Sequence, residues 1–134
     1  MASSDKVYIT LVGHGGHGAV PHKTADPVVA AASLVMALQT VVSRNVDPLQ
    51  TAVVTVGVLQ SGRANNVIPD SAYLELSVRA LDSEVRSLLQ QRITDITHAQ
   101  AQSFGVKAEI DYRRGYAALV NSKDETDFAR QIGS

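Results

Sequence analysis

Two neighbouring segments in which apolar and polar residues alternate place the strongest constraint on the fold of this chain. Their apolar faces carry Ala52, Val54, Val56 and Val58 in residues 51–60, and Ala72, Leu74, Leu76, Val78 and Ala80 in residues 71–80. A period of two predicts strands that are buried on one face only. The sequence between them is SGRANNVIPD, whose glycine, asparagines and proline favour turns. We therefore expect a hairpin-like pair of half-buried strands.

Two helices are predicted from their start and stop signals. Asp26 supplies an N-cap acceptor and Pro27 suits the first helical position, so the first helix is expected over residues 27 to about 44. After Asp82, the apolar residues follow a helical period up to Gly105, which supplies the C-terminal stop. These apolar residues are Val85, Leu88, Leu89, Ile93, Ile96 and Phe104.

Two further alternating segments complete the order of elements. Residues 6–12 and residues 106–112 both alternate apolar and polar side chains. The resulting order, β-α-β-β-α-β, predicts an α+β, ferredoxin-like fold with a four-stranded antiparallel sheet and both helices on one face. The first five residues, MASSD, are expected to lie outside the fold, as an expression remnant would.

The composition excludes several classes of partner. Lys and Arg total 12 against 13 Asp and Glu, so no strong field draws the chain to nucleic acid or to anionic lipid. The most apolar run, residues 28–38, is far shorter than the ~20 residues of a membrane span. There is no cysteine, so any metal would need His or carboxylate ligands. We expect a cytoplasmic protein that binds neither nucleic acid nor membrane.

The first predicted helix carries apolar residues around nearly its whole circumference. Its first turns read PVVAAASLVMAL. A helix that is apolar all round is normally buried on more than one side, whereas one sheet covers only one side. Alanine also tolerates exposure because it is a good helix former. The pattern nevertheless favours self-association through this helix.

The stretch VGHGGHGAVPH, residues 12–22, concentrates glycine and histidine and allows several interpretations. Its spacing G-x-G-x-x-G matches a dinucleotide fingerprint, but Pro21 and His22 follow where a helix should open, and the capping signal comes only at Asp26. His14, His17 and His22 could hold zinc, although no Asp, Glu or Cys completes that set. The glycines could also serve only a tight connection between strand and helix.

Five segments follow one another along the chain: GGHGAVPH, ADPVVAAASLVMALQTVVSRNVDPL, AVVTVG, NNVIPD and SVRALD. In this order they resemble the dimerisation, or lid, domain of the M20 family of metallopeptidases and amidohydrolases. The amidohydrolase subfamily, with its hippurate and indole-acetyl-amino-acid hydrolases, is the most similar branch. The resemblance covers residues 6–116. It implies a lid inserted into a larger catalytic domain, with residues 117–134 as the start of the return to that domain.

The resemblance also implies site residues, cofactors and partners. His17 matches the histidine that the lid presents to the opposite subunit, where it binds the scissile carbonyl oxygen of an N-acyl amino acid. Asn66 and Arg79 match the residues that hold the substrate's carboxylate; Arg79 lies on the polar face of its strand. The family's zinc or manganese ligands are absent, so no metal residue or cofactor is expected in this chain. His14, His22 and His98 receive no role.

The resemblance and the apolar helix together predict a homodimer formed through helix one and an edge strand of the sheet, inactive without the catalytic domain. A free-standing ferredoxin-like module that dimerises and binds a small ligand is the alternative. Such a module would share the fold and the apolar helix. It would not require Gly-Gly-His, Asn66 and Arg79 together.

Overall fold

The computed structural model describes residues 3–115, which form a four-stranded antiparallel sheet, a small two-stranded sheet and a layer of helices. The strands are β1 (Ser3–Val12), β2 (Gly16–His17), β3 (Ala52–Gln60), β4 (Val67–Ile68), β5 (Ser71–Ala80) and β6 (Lys107–Arg113). The helices are α1 (Pro27–Leu38), α2 (Thr40–Asn45) and α3 (Ser83–Ser103). The main sheet has the order β3-β5-β1-β6 with every neighbouring pair antiparallel. This confirms the predicted ferredoxin-like architecture.

The core lies between the sheet and the helices. Val7, Ile9 and Leu11 of β1 are buried, as are the alternate residues of β5 from Ala72 to Ala80. The helices contribute Leu34 and Leu89 to the same cluster, among other residues. The intervening strand residues are more exposed, so the opposite face of the sheet remains open and largely polar. The two-residue alternation of the sequence is thus converted directly into one covered face.

Both helix starts follow their predicted caps. The Asp26 side chain accepts from the Val28 amide at 2.8 Å, and the Asp82 side chain accepts from the Glu84 amide at 2.7 Å. Gly105 follows α3 with φ of +72°, a conformation that glycine adopts without a Cβ penalty. Local side-chain acceptors therefore fix where these two helices begin.

The helical segment predicted over residues 27–44 is present but is divided at Gln39, which keeps helical dihedrals (φ −63°, ψ −21°) while the hydrogen bonding around it tightens. The amide of Gln39 donates to the carbonyl of Met36, three residues back, at 3.2 Å. The Thr40 hydroxyl donates to the carbonyl of Ala37 at 2.8 Å. Such local bonds compete with the regular helical ladder. The segment therefore forms α1 and α2 in place of a single helix.

The expectation that MASSD lies outside the fold is wrong for its last three residues, because β1 already begins at Ser3. Ser3 pairs with Ala80 of β5, and its hydroxyl donates to the Ala80 carbonyl at 3.2 Å. Asp5 is fully buried and forms an ion pair with Arg86 of α3. The local sequence around Asp5 does not predict this ion pair, because Arg86 lies 81 residues further along the chain.

The connection between β3 and β5 contains a small element that the turn signals did not predict. β4 lies within it and pairs with β2 of the glycine-rich stretch, so the hairpin connection and the glycine loop form a second, two-stranded sheet. None of the described helices is long and apolar enough to cross a membrane. The predicted tail, residues 117–134, lies outside the described residues.

Candidate functional site

The glycine-rich loop, residues 13–18, lies against the end of the β3–β5 connection, residues 66–70. The amides of Gly13 and Gly18 donate to the carbonyls of Asp70 and Asn66, at 2.7 and 2.8 Å. Between these bonds, Gly16 pairs with Ile68 and His17 with Val67. The Gly15 amide donates to the Asp70 carboxylate at 2.8 Å. The loop is therefore held along its whole length by a segment 50 residues away.

The other side of the loop lies against the segment that leads into α1. His14 and Ala25 exchange backbone hydrogen bonds of 2.9 Å in both directions. A Cβ at Gly13 would lie 2.2 Å from the Ala25 carbonyl oxygen, and one at Gly15 would lie 2.0 Å from the Ile68 carbonyl oxygen. Glycine is required at these two positions because the neighbouring backbones approach so closely.

The dinucleotide interpretation does not fit this geometry. After Gly18 the chain forms a short 3-10 turn at Pro21–Lys23, and the first α-helix starts only at Pro27. A phosphate cradle needs helical amides directly after the third glycine. The glycines serve close backbone packing here.

His17 is the exposed histidine at the tip of the β2–β4 sheet. Its Nδ1 accepts a hydrogen bond from the Ala19 amide at 3.0 Å. In a neutral imidazole, an accepting Nδ1 places the proton on Nε2. The ring is therefore held as a donor through an Nε2–H that has no partner among the described residues. An oriented donor of this kind suits a carbonyl oxygen.

Asn66 lies beside His17, whereas Arg79 does not. Asn66 is exposed and its carbonyl receives the Gly18 amide, one residue after His17. Arg79 is exposed on β5, where it pairs in register with Ser4 of β1 and Val53 of β3. Ser71 is the β5 residue at the loop end, and Arg79 lies eight residues beyond it. At 3.3 Å per residue, about 26 Å of strand separates Ser71 from Arg79.

The Arg79 end of the sheet is also where the described chain begins and ends. Ser4 pairs with Arg79 there, and the Gly115 amide donates to the neighbouring Asp5 carboxylate at 2.9 Å. The sheet thus has two distinct ends: a loop end with His17 and Asn66, and a terminal end with Arg79. The structure brings two of the three predicted site residues together and separates the third.

The histidines do not form a metal centre. Within residues 3–115, no three His, Asp or Glu side chains are grouped so that they could hold a metal ion. The backbone of His14 is paired with Ala25, His22 lies exposed in the 3-10 turn, and His98 is exposed on α3. The zinc interpretation of the glycine-rich loop therefore has no support in the described residues.

The open face of the sheet carries a polar cluster that the sequence patterns did not reveal. The Tyr73 hydroxyl donates to Glu75 at 2.6 Å, and this hydrogen bond raises the pKa of Tyr73 to about 12. Arg113 lies over the Tyr8 ring, 4.8 Å from its centroid. Its hydrogen bond to Asp111 raises the pKa of Arg113 further above its ordinary range. Both raised pKa values keep the Tyr73 hydroxyl protonated and Arg113 charged near neutral pH.

Asp70 is the contact of the loop that sequence reasoning missed. It follows Pro69 in the turn-rich connection, where an aspartate is ordinarily read as a turn residue. Nothing in the local pattern indicates that its carboxylate reaches Gly15, 55 residues away in sequence. Only the pairing of β2 with β4 brings the two together.

A family profile matches this split β-α-β sheet with its glycine-anchored histidine. The profile of the peptidase dimerisation domain of the M20 family matches residues 3–103. The chain therefore belongs to the M20 dimerisation-domain family.

Curated proteins that are similar to this chain are named as hydrolases or deacetylases. A hippurate hydrolase of Campylobacter jejuni is 43% identical over 132 residues, covering 98% of this chain and 34% of that protein. An N-acetyldiaminopimelate deacetylase of Anoxybacillus flavithermus is 46% identical over 125 residues, covering 93% of this chain and 32% of that protein. The chain thus spans about a third of the length of these relatives.

A solved structure agrees with the fold. The crystal structure of a putative aminohydrolase from methicillin-resistant Staphylococcus aureus superposes with a TM-score of 0.85 and 32% identity. The match covers 97% of this chain and 33% of that one. The fold and the family agree in placing this chain as the dimerisation domain of M20 hydrolases.

Proposed function

We propose that this chain is the lid of a metal-dependent N-acyl-amino-acid amidohydrolase and that it acts in a homodimer. The lid ends near residue 116, and residues 117–134 lead back to a catalytic domain outside this sequence. The observation that carries the proposal is the exposed His17 ring, which the Ala19 amide orients by donating to its Nδ1. Relatives about three times as long, named for the hydrolysis of N-acyl compounds, support it.

In this proposal His17 donates to the carbonyl oxygen of the scissile amide. Negative charge develops on that oxygen as water adds to the carbonyl carbon. A donor placed in advance stabilises the charge, and one such donor is typically worth ~3 kcal/mol of barrier. The described residues do not fit a metal centre, so we assign the zinc or manganese of the enzyme to the catalytic domain.

The two ends of the sheet would serve different active sites. Asn66 has an amide and Arg79 a guanidinium, and both groups suit a carboxylate. About 26 Å of β5 lies between Ser71, at the loop end near Asn66, and Arg79, which argues against both residues binding one carboxylate within one protomer. We therefore assign His17 and Asn66 to the active site of the partner and Arg79, at the terminal end, to the site of its own catalytic domain.

The dimer contact is proposed at α1 and β3. Val28, Val29 and Met36 of α1 are exposed, as is Leu59 of β3. Between them runs an open groove lined by Val35, Gln39, Val54, Thr55, Val56 and Leu59. The groove is lined by residues of both α1 and β3 together with Gln39 between α1 and α2. Its mixture of valine and leucine with Gln39 and Thr55 is compatible with a self-complementary interface.

The choice between the two edge strands rests on their charge. β6 exposes Lys107, Glu109, Asp111 and Arg113, and charged side chains protect an edge against pairing. β3 has the sequence AVVTVGVLQ, without a single charge. Pairing β3 with the β3 of a second copy would join two sheets across a two-fold axis and place the α1 helices side by side.

The experiment that tests the function compares His17→Ala with His22→Ala in the longer protein. His17→Ala should lower kcat for an N-acyl amino acid on the order of 10²- to 10³-fold, because an oxyanion donor acts mainly in the transition state. His22→Ala, an exposed residue of the neighbouring 3-10 turn, should retain activity. A loss confined to KM in His17→Ala would contradict the assigned role.

Heterodimers test whether His17 acts across the interface. A His17→Ala subunit is mixed with a subunit disabled at its metal site. If the donor acts in trans, one of the two hybrid active sites is complete and some activity returns. No recovery in verified heterodimers would reject the cross-subunit arrangement.

A further inference from the structure

The β2–β4 sheet that carries His17 is only two residue pairs long. Gly16 pairs with Ile68 and His17 with Val67, and the loop around them contains Gly13, Gly15 and Gly18 as well. Glycine-rich strands specify their pairing register weakly, and a slip of one residue turns every side chain to the opposite face. The direction of the His17 ring therefore depends on whatever fixes this register.

Asp70 is placed to fix the register of β2 on β4. Its backbone carbonyl accepts from the Gly13 amide at 2.7 Å, and its Oδ1 accepts from the Gly15 amide at 2.8 Å. Gly15 directly precedes β2, and the Asp70 carboxylate is the one side chain among the described residues that hydrogen-bonds this loop to residues 66–70. At Gly15 a side chain thus supplies the acceptor that a carbonyl supplies at Gly13 and Gly18.

We propose that Asp70 is a positioning residue that, through Gly15, holds the register of β2 on β4 and with it the direction and tautomer of His17. The inference rests on the proposed function for its catalytic consequence, but the positioning itself does not require catalysis. Loss of the carboxylate leaves the half-buried Gly15 amide without its acceptor. The backbone bonds at Gly13 and Gly18 remain, so the β2–β4 pairing is loosened at its Gly15 end, and His17 samples ring orientations in which the bond from the Ala19 amide to Nδ1 is broken.

The first experiment measures this positioning in the chain itself by NMR. Asp70→Ala should speed amide hydrogen exchange at Gly15 at least tenfold. It should also move the His17 ring-nitrogen shifts from those of a single Nε2–H tautomer towards a mixture of both. Asp70→Asn keeps an oxygen acceptor and should retain the wild-type signals.

The matched control is Asp47→Ala, which removes a comparable bond from a different loop. Asp47 accepts from the Leu49 amide at 2.9 Å, in the connection between α2 and β3. This variant should leave the signals of Gly15 and His17 unchanged. Unchanged signals in Asp70→Ala, or an equal change in Asp47→Ala, would overturn the proposal.

The second experiment measures kcat and KM in the longer protein. Asp70→Ala should lower kcat on the order of ten- to a hundredfold with a smaller change in KM, since a donor displaced by about 1 Å loses rate. Asp70→Asn should recover most of the activity; an equal loss there would overturn the hydrogen-bond basis. If His17→Ala leaves kcat unchanged, the proposed function fails, while the NMR result still decides the positioning.

Discussion

At the scale of single residues, the Asp5 carboxylate joins the two ends of the described chain. It is fully buried and accepts from Nη2 and Nε of Arg86, at 2.6 and 3.1 Å, and from the Gly115 amide at 2.9 Å. Arg86 also donates to the Gly115 carbonyl. One ion pair thus fastens β1, α3 and the segment after β6 at the terminal end of the sheet.

We predict that Arg86→Met lowers the free energy of unfolding by about 3–5 kcal/mol, because it leaves a buried carboxylate without its charged partner. Urea unfolding of the chain measures this value. Arg92→Met on the same helix is the control: its pair with Asp95 is exposed, and such pairs contribute about 0–1 kcal/mol.

The double variant Asp5→Val/Arg86→Met should recover part of the lost stability, since apolar replacement of a whole buried pair is often neutral. A loss in Arg86→Met no greater than that in Arg92→Met would show that the buried pair does not stabilise the fold.

At the scale of elements, α1 and β3 carry apolar surface that the monomer does not cover. Met36 is 70% exposed at the outer face of α1, and β3 presents an uncharged edge. The second edge strand, β6, is charged throughout its exposed positions. The two edge strands, β3 and β6, therefore differ in their capacity to pair with a second copy of the chain.

We predict that the chain forms a two-fold dimer that Met36→Glu weakens at least tenfold, because the substitution places a charge in an apolar interface. Glutamate and methionine have similar helix propensities, so the fold is retained. Light scattering at micromolar concentration measures the mass. Gln102→Glu, which adds the same charge on the exposed surface of α3, should stay dimeric.

A wild-type mass equal to one chain would show that the interface requires the catalytic domain. A dimer unaffected by Met36→Glu would locate the contact away from the outer face of α1.

At the scale of the whole molecule, the candidate site residues lie at two opposite ends of the sheet. His17 and Asn66 lie at the loop end, and Arg79 lies at the terminal end, about 26 Å away along β5. Within residues 3–115, neither end has three His, Asp or Glu side chains grouped so that they could hold a metal ion. The arrangement supports a domain that contributes single groups to sites built elsewhere.

We predict that the purified chain, supplied with Zn²⁺ or Mn²⁺, does not hydrolyse hippurate or other N-acyl amino acids above the buffer rate. Its described side chains provide no ligand set that would lower the pKa of a bound water. Release of the free amino acid is the measurement. Metal-dependent turnover by the chain alone would contradict the assignment as a lid.

The sequence by itself determined the four strands of the main sheet and the two helical segments that cover it. The two-residue alternation in β1, β3, β5 and β6 and the caps at Asp26 and Asp82 depend on neighbours within a few positions, so local physical chemistry was sufficient to predict the antiparallel sheet and the helices. The segments GGHGAVPH and NNVIPD likewise indicated the family from their residues alone.

Only the tertiary structure decided how distant segments meet. The Asp5–Arg86 pair, the pairing of β2 with β4 and the bond from Gly15 to Asp70 each join residues separated by 50 or more positions. No local pattern encodes such a contact, because it arises from the strand order and the sheet register. The same reason explains why His17 and Asn66 lie together while Arg79, on the polar face as expected, lies at the opposite end.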